Sequence, residues 1–235
     1  MTLSVVNVTA SYGKIQVLWD VSIDVSDKEI VSLIGANGAG KSTLLKSIIG
    51  MVKPTGGSIT YNGKSLIGMR PHSIVQRGVA YVPEGRRLFP EMNVKENIRI
   101  GAPRSCKDLD TRFERVYSLF PVLRDRKNQQ SSTLSGGEQQ MVAISRALMS
   151  KPTLLLLDEL SFGLSPIMFE NVLYAIESIR DTGVSVLMSE QNSERALEVS
   201  DRAYVMENGR IEMKGVSNQL IDDSRIRHAY LGVGE

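Results

Sequence analysis

The sequence predicts an α/β protein with a buried parallel sheet, an N-terminal antiparallel β portion and an inserted helical lobe. Three observations carry that reading. An apolar run at residues 29–34 leads straight into Gly35-Ala36-Asn37-Gly38-Ala39-Gly40, the pattern of a buried strand turning into a helix. After Lys151-Pro152, β-rich runs alternate with helical stretches, as in βαβ units. Between these segments, residues 94–150 show helical spacing and more charge, which sets them apart from both flanks.

In chain order, Leu3, Val5, Val6 and Val8 alternate roughly as a strand, and residues 17–25 and 29–34 are read as strands too. Residues 41–50 are read as a helix. Residues 57–62 form a strand ending at the turn dipeptide Asn62-Gly63, and residues 78–82 a buried strand stopped by Pro83. Within the helical stretch, Phe113, Val116, Leu119 and Phe120 recur at helix spacing. The remainder reads as strand 153–157, helix 167–180, strand 184–188, helix 193–199 and strands 203–207 and 210–213. A chain of 235 residues holds one large domain or two small ones. The expectation is one domain over 1–235, with a core of 1–83 and 151–235 and a lobe at 84–150.

Composition narrows the classes of function. Apolar residues make up 42%, charged residues 23%, and the net charge is +2, which excludes disorder and any general electrostatic drive toward nucleic acid. The single cysteine, Cys106, allows neither an intrachain disulfide nor a cysteine metal cage and fits a reducing compartment. No stretch reaches the roughly 18 apolar residues of a membrane span, and the N-terminus lacks the basic start of a secretory signal. The expectation is a cytoplasmic chain that reaches a membrane only through a partner, peripheral on its inner face.

Gly35-Ala36-Asn37-Gly38-Ala39-Gly40-Lys41-Ser42-Thr43 matches the phosphate-binding loop and lies between a strand and a helix, where that motif must lie. Glycines let backbone N–H groups close around an anion at a helix N-terminus. Lys41 adds positive charge for the β- and γ-phosphates, and the Ser42 hydroxyl can ligate Mg²⁺. A chance match is expected only about 0.01 times at this composition, so an accidental glycine turn is set aside. Leu154-Leu155-Leu156-Leu157-Asp158-Glu159 reads as a central strand whose two acids open on the ligand crevice. Alone, it is more often a strand meeting a solvated loop. Beside a phosphate loop, Asp158 suits holding Mg²⁺ through water and Glu159 suits the general base that polarises the attacking water.

A third segment, Leu134-Ser135-Gly136-Gly137-Glu138-Gln139-Gln140, opens a helix through Ser145, Arg146, Ala147 and Leu148. It is a second anion-binding helix start, which one γ-phosphate does not need from one subunit. Here the chain resembles the ATP-binding subunits of ABC transporters, whose signature motif is this segment, and the resemblance covers essentially the whole chain. It implies a P-loop NTPase core, ATP and Mg²⁺ as ligands, and hydrolysis coupled to solute transport. It further implies a head-to-tail dimer with itself or a homologous ATP-binding subunit. Ser135, Gly136, Gly137 and Glu138 of one chain then close over ATP held by the other.

The same resemblance assigns Tyr12 to stacking on adenine, although as a bare feature it is equally a strand-end aromatic. Glu84, in Tyr81-Val82-Pro83-Glu84-Gly85-Arg86, stands in the loop that senses Mg²⁺ and the membrane partner. Most relatives have glutamine there, so this carboxylate needs screening by Mg²⁺ or Arg86. Ser161-Phe162-Gly163-Leu164 resembles the segment that communicates across the dimer, with Leu160 in place of a usual proline. Gln191 stands where most of the family has the histidine that contacts the γ-phosphate; glutamine donates and accepts hydrogen bonds but carries no proton. The two histidines, His72 and His228, read as surface residues.

Val82-Pro83-Glu84-Gly85-Arg86-Arg87-Leu88-Phe89-Pro90, Glu138-Gln139-Gln140-Met141, Glu190-Gln191-Asn192 and Ala229-Tyr230-Leu231-Gly232 are similar to one ATP-binding subunit of branched-chain amino-acid importers. That resemblance implies transmembrane permease partners and, indirectly, a solute-binding protein, with no nucleic acid. Import of urea or other amides is the neighbouring alternative. A nucleotide-dependent clamp regulating a membrane or cell-wall complex is a second class. DNA-repair and translation ATPases with the same signature carry coiled-coil insertions or duplicated domains, for which 235 residues leave no room.

Overall fold

The computed structural model describes residues 2–191 and 193–223. The chain starts with a hairpin of β1 (Leu3–Tyr12) and β2 (Ile15–Val25), followed by β3 (Ile30–Ile34), α1 (Lys41–Ile48), β4 (Pro54–Tyr61) and β5 (Lys64–Ser65). Next come α2 (Pro71–Gln76) and β6 (Val79–Val82), then four helices in a row: α3 (Val94–Arg99), α4 (Leu109–Leu119), α5 (Pro121–Asp125) and α6 (Gly136–Leu148). The last part is β7 (Leu154–Asp158), α7 (Pro166–Asp181), β8 (Ser185–Glu190), α8 (Ser193–Val199), β9 (Arg202–Glu207), β10 (Arg210–Val216) and α9 (Ser217–Ile221).

Two sheets result. One is antiparallel, in the order β2-β1-β4-β5, and the other runs β10-β9-β3-β8-β7-β6. In the second, β6, β7, β8, β3 and β9 are parallel, and β10 alone runs antiparallel to its neighbour β9. The parallel strands are mostly apolar because both faces are covered, with Ser32, Ser185, Ser189 and Glu190 as buried polar members, and the two-residue repeat divides the apolar residues between two cores. Leu154 and Leu156 of β7 face α1 and the antiparallel sheet with Val31, Leu33 and Leu187. Leu155 and Leu157 face the helical side with Ile30, Ile34, Val186 and Met188. On that side the core is completed by Phe113 and Val116 of α4, Val142 and Ile144 of α6, and Val172 and Ile176 of α7.

Local signals set the helix starts. Asn93 and Ser135 each form a capping box with the glutamate three residues on, and Ser165 caps α7 ahead of Pro166. Three elements were not expected from the sequence: β5, the six-residue α2 and the five-residue α9, all too short for a periodic pattern. Phe120, expected within a helix, sits just past the end of α4 and is buried there. The closing βαβ reading also needs correction at β10. Asn208 and Gly209 have φ of 48° and 79°, the left-handed pair of a two-residue hairpin, so β10 folds back on β9.

That hairpin buttresses the phosphate loop. The Gly209 N–H donates to Ala39 O (2.9 Å), and Trp19 N–H donates to Gly209 O (2.8 Å). A Cβ on Gly209 would lie 2.0 Å from Val17 O, at a φ that L residues rarely adopt. Gly209→Ala is expected to destabilise the fold by about 3 kcal/mol in denaturant titration. A loss below about 0.5 kcal/mol would mean that the turn shifts freely and does not brace the loop.

Candidate active site

The phosphate loop starts where β3 ends, and backbone packing dictates its glycines. A Cβ on Gly35 would stand 2.2 Å from Met206 O, while Gly38 and Gly40 have φ of 81° and 108°. Gly40 caps α1 without any side-chain hydrogen bond, and the first turn holds no acidic residue. The N–H groups there are thus left for an anion. A cavity of about 190 Å³ opens above them, lined by Val17, residues 38–43 and Glu159. Asn37 is exposed at the rim, whereas Lys41 and Thr43 are buried. Lys41 Nζ donates to Gly35 O (2.8 Å) and Ala36 O (3.1 Å) and lies 3.1 Å from Glu159 Oε1.

Two carboxylates stand at the end of β7 with different surroundings, and of the two Glu159 lines this cavity. Asp158 is buried and accepts three hydroxyl hydrogen bonds: Ser42 Oγ (2.8 Å) and Ser189 Oγ (2.7 Å) to Oδ1, and Tyr81 OH (2.8 Å) to Oδ2. Glu159 is more open and sits at φ 45°, held by its N–H to Ser189 O (3.0 Å). A bulky residue in that region is a local cost tolerated where geometry matters. Ser189 and Tyr81 were not singled out as site residues in the sequence. Ser189 pairs with Asp158 across β7 and β8, and a serine closing the apolar run Val186-Leu187-Met188 was the available signal. Tyr81 lies on β6 beside Leu156; desolvation, then the Asp158 charge, push its phenol well above the usual range.

These residues suit Mg²⁺. Among the described residues no cluster of three or more His, Cys, Asp and Glu side chains gathers that could cage a metal. Asp158 and the Ser42 hydroxyl supply one charged and one neutral oxygen, the sparse protein set of an ion that also takes phosphate oxygens and water. The Ser42–Asp158 contact places both donors at one point.

The Ser135 segment lies elsewhere. Ser135 is exposed at the start of α6, its N–H (2.9 Å) and Oγ (2.8 Å) donating to Glu138 Oε2. Glu138 Oε1 also pairs with Arg126 Nε at 3.0 Å. The carboxylate expected to meet nucleotide is therefore committed to its own helix start and to Arg126. A Cβ on Gly136 would stand 2.9 Å from Gly163 O and 3.0 Å from the Arg86 guanidinium, so this glycine packs there and not against the phosphate loop of its own chain.

Other expected residues are spread around the site. Tyr12 ends β1 and is 50% exposed, free to present its ring face. Glu84 is exposed, and Arg86, expected to screen it, turns away: it donates to Gln139 Oε1 (3.2 Å) and to the carbonyls of Phe162 and Gly163 (3.1 Å each). Gln191 is exposed and lines a separate cavity of about 370 Å³ with Ser161, Leu164, Pro166, Phe169 and Arg195. His72 is exposed on α2; His228 and the 229–232 segment lie outside the described residues.

A strand–glycine loop–helix cradle, a lysine within it and an Asp-Glu pair at the adjacent strand end define a P-loop nucleotide-binding cassette. Residues 18–161 match the ABC transporter family, and the chain belongs to that family. It is 50% identical to the high-affinity branched-chain amino acid transport ATP-binding protein BraG of Pseudomonas aeruginosa, over 98% of this chain and 99% of that protein. It is 36% identical to the probable branched-chain amino acid transport ATP-binding protein LivF of Archaeoglobus fulgidus, over 98% and 99% of the two chains. The fold matches the ADP conformation of MJ1267, an ATP-binding cassette of an ABC transporter, with a TM-score of 0.88 and 25% identity over 99% of each chain.

Proposed function

We propose that the chain hydrolyses Mg·ATP to power an importer of branched-chain amino acids. The observation that carries the catalytic part is the meeting of Lys41, Ser42, Asp158 and Glu159 at one cradle. Likeness to BraG along nearly the whole chain supports the solute class, which no residue of this chain touches. The working unit is a single domain, with residues 84–150 as the helical lobe and 1–83 and 151–235 as the core. It sits at the cytoplasmic face of permease subunits that a solute-binding protein supplies.

The loop amides and Lys41 bind the phosphates, and a triphosphate offers Lys41 a more highly charged partner than Glu159. Lys41 then moves to the phosphate and frees the carboxylate. Glu159 takes a proton from water as the water oxygen bonds to the γ-phosphorus and the bond to the β-phosphate oxygen breaks. Ser42 and Asp158 would hold Mg²⁺, which when bound would supply charge neutralisation for the phosphates. Ser135, Gly136 and Gly137 of a head-to-tail partner, a second copy or a homologous subunit, cover the γ-phosphate, and affinity for this closed state drives the permease. Glu84 reports from the loop beside the metal and the permease.

The test is reconstitution of the chain with its permease subunits and binding protein in proteoliposomes. ATP-dependent uptake of labelled leucine, isoleucine or valine is expected. Uptake of urea instead would replace the solute class, and ATP turnover without any uptake would favour a regulatory clamp.

Two finer roles belong to this reading. Tyr12→Ala is expected to weaken ATP binding by about 1 kcal/mol in calorimetry, with Tyr12→Phe near wild type, because the ring face does the stacking. Equal losses for both variants would assign a hydrogen bond instead. For Gln191, a γ-phosphate contact sets an order of rates among its variants. Phosphate release from Gln191→His is expected to equal or exceed wild type and from Gln191→Ala to fall below both. A wild-type rate in the alanine variant would remove Gln191 from catalysis.

A further inference from the structure

One buried charge plays no part in the mechanism above. Glu190, the last residue of β8, is wholly buried, and burial raises its carboxyl pKa to about 7. Its Oε1 accepts the N–H groups of Leu160 (2.9 Å) and Ser161 (3.2 Å), and its Oε2 accepts the Ser161 hydroxyl (2.6 Å). Burying a carboxylate is costly, and all three donors come from one short turn. That turn begins directly after Glu159, whose left-handed backbone has little tolerance for drift. Its far side is fastened by Arg86, which reaches the carbonyls of Phe162 and Gly163 and also Gln139 of α6. Between the two fastenings Phe162 projects outward at 61% exposure. The turn is thus gripped by polar bonds at both ends, and Glu190 is followed in the chain by Gln191.

We propose that Glu190 is a positioning residue for hydrolysis. By gripping Leu160 and Ser161 it sets the backbone of Glu159 and locks the 160–164 turn to the strand end that carries Gln191. The general base, the outward-facing Phe162 and Gln191 then move as one piece when a partner closes on them. The inference rests on Glu159 being the general base. It adds a residue that touches neither water nor nucleotide and acts only through the turn.

The test compares Glu190→Ala, Glu190→Gln, Ser161→Ala and Glu159→Gln in the full-length chain by phosphate release against Mg·ATP, fluorescent-nucleotide titration and thermal melting. Glu190→Ala is expected to lower kcat at least about tenfold with KM for ATP within about threefold of wild type. Glu190→Gln is expected to keep about a third or more of kcat, since its carbonyl oxygen still accepts from Leu160 and Ser161 and its amide donates to the hydroxyl. Ser161→Ala should lower kcat about threefold with KM and melting temperature unchanged. If Glu190→Ala does not fold, Ser161→Ala decides. Wild-type kcat in Ser161→Ala and Glu190→Ala, or matching losses of kcat, nucleotide affinity and melting temperature, would overturn the proposal. Full activity in Glu159→Gln would instead overturn the reading beneath it, whereas an inactive Glu159→Gln beside fully active Glu190 and Ser161 variants would sink this inference alone.

Discussion

Glu159→Gln is expected to lower steady-state ATP hydrolysis by about 10²- to 10⁴-fold, the range of a removed general base. The amide keeps the volume and accepts a hydrogen bond but takes no proton from water. It also removes the charge that faces Lys41 at 3.1 Å, so Lys41 is freer to meet phosphate. ATP affinity should therefore hold or rise. With binding intact and turnover lost, the ATP-bound dimer accumulates, visible as an ATP-dependent shift in size-exclusion chromatography. An unchanged hydrolysis rate would take Glu159 out of the role assigned to it.

Ser135→Arg is expected to reduce hydrolysis to background while leaving ATP binding by the dilute monomer near wild type. The residue is exposed at the start of α6, and the adjacent Gly136 packs on Gly163 and Arg86, away from its own phosphate loop. On the proposed head-to-tail dimer, a long cation there is expected to block closure over a partner's nucleotide and to act in trans. Ser135 also caps α6, and losing a cap costs about 1 kcal/mol. Ser135→Ala measures that part separately, and it should melt like Ser135→Arg yet keep more activity. A large loss of monomer affinity for fluorescent ATP in Ser135→Arg would show that Ser135 serves its own site.

The readable parts of this molecule are those whose cause lies within a few residues. Four consecutive leucines ending in Asp158-Glu159 declare a strand covered on both faces, and the two cores do share those leucines alternately. The phosphate loop is equally local, since glycine spacing, lysine and hydroxyl all fall within nine residues between a strand and a helix. The capping boxes at Asn93 and Ser135 follow from serine or asparagine three residues ahead of a glutamate. Asn208-Gly209 was an available hairpin signal for the reversed β10, outweighed by the βαβ rhythm around it.

Other features depend on residues far apart in the chain. Tyr81 and Ser189 reach Asp158 only because β6, β7 and β8 lie side by side in parallel register. Arg86 bonds Gln139 and the 162–163 carbonyls across separations of 53 to 77 residues, and Glu190 meets Ser161 across 29. Gln191 is assigned by likeness to a γ-phosphate contact, yet its side chain lines a neighbouring cavity. The class of chemistry was legible because a phosphate is gripped by contiguous backbone, whose conformation nearby residues dictate. The partners of each charge were not, because side-chain pairing is settled by which strand ends and turns the packed cores bring together.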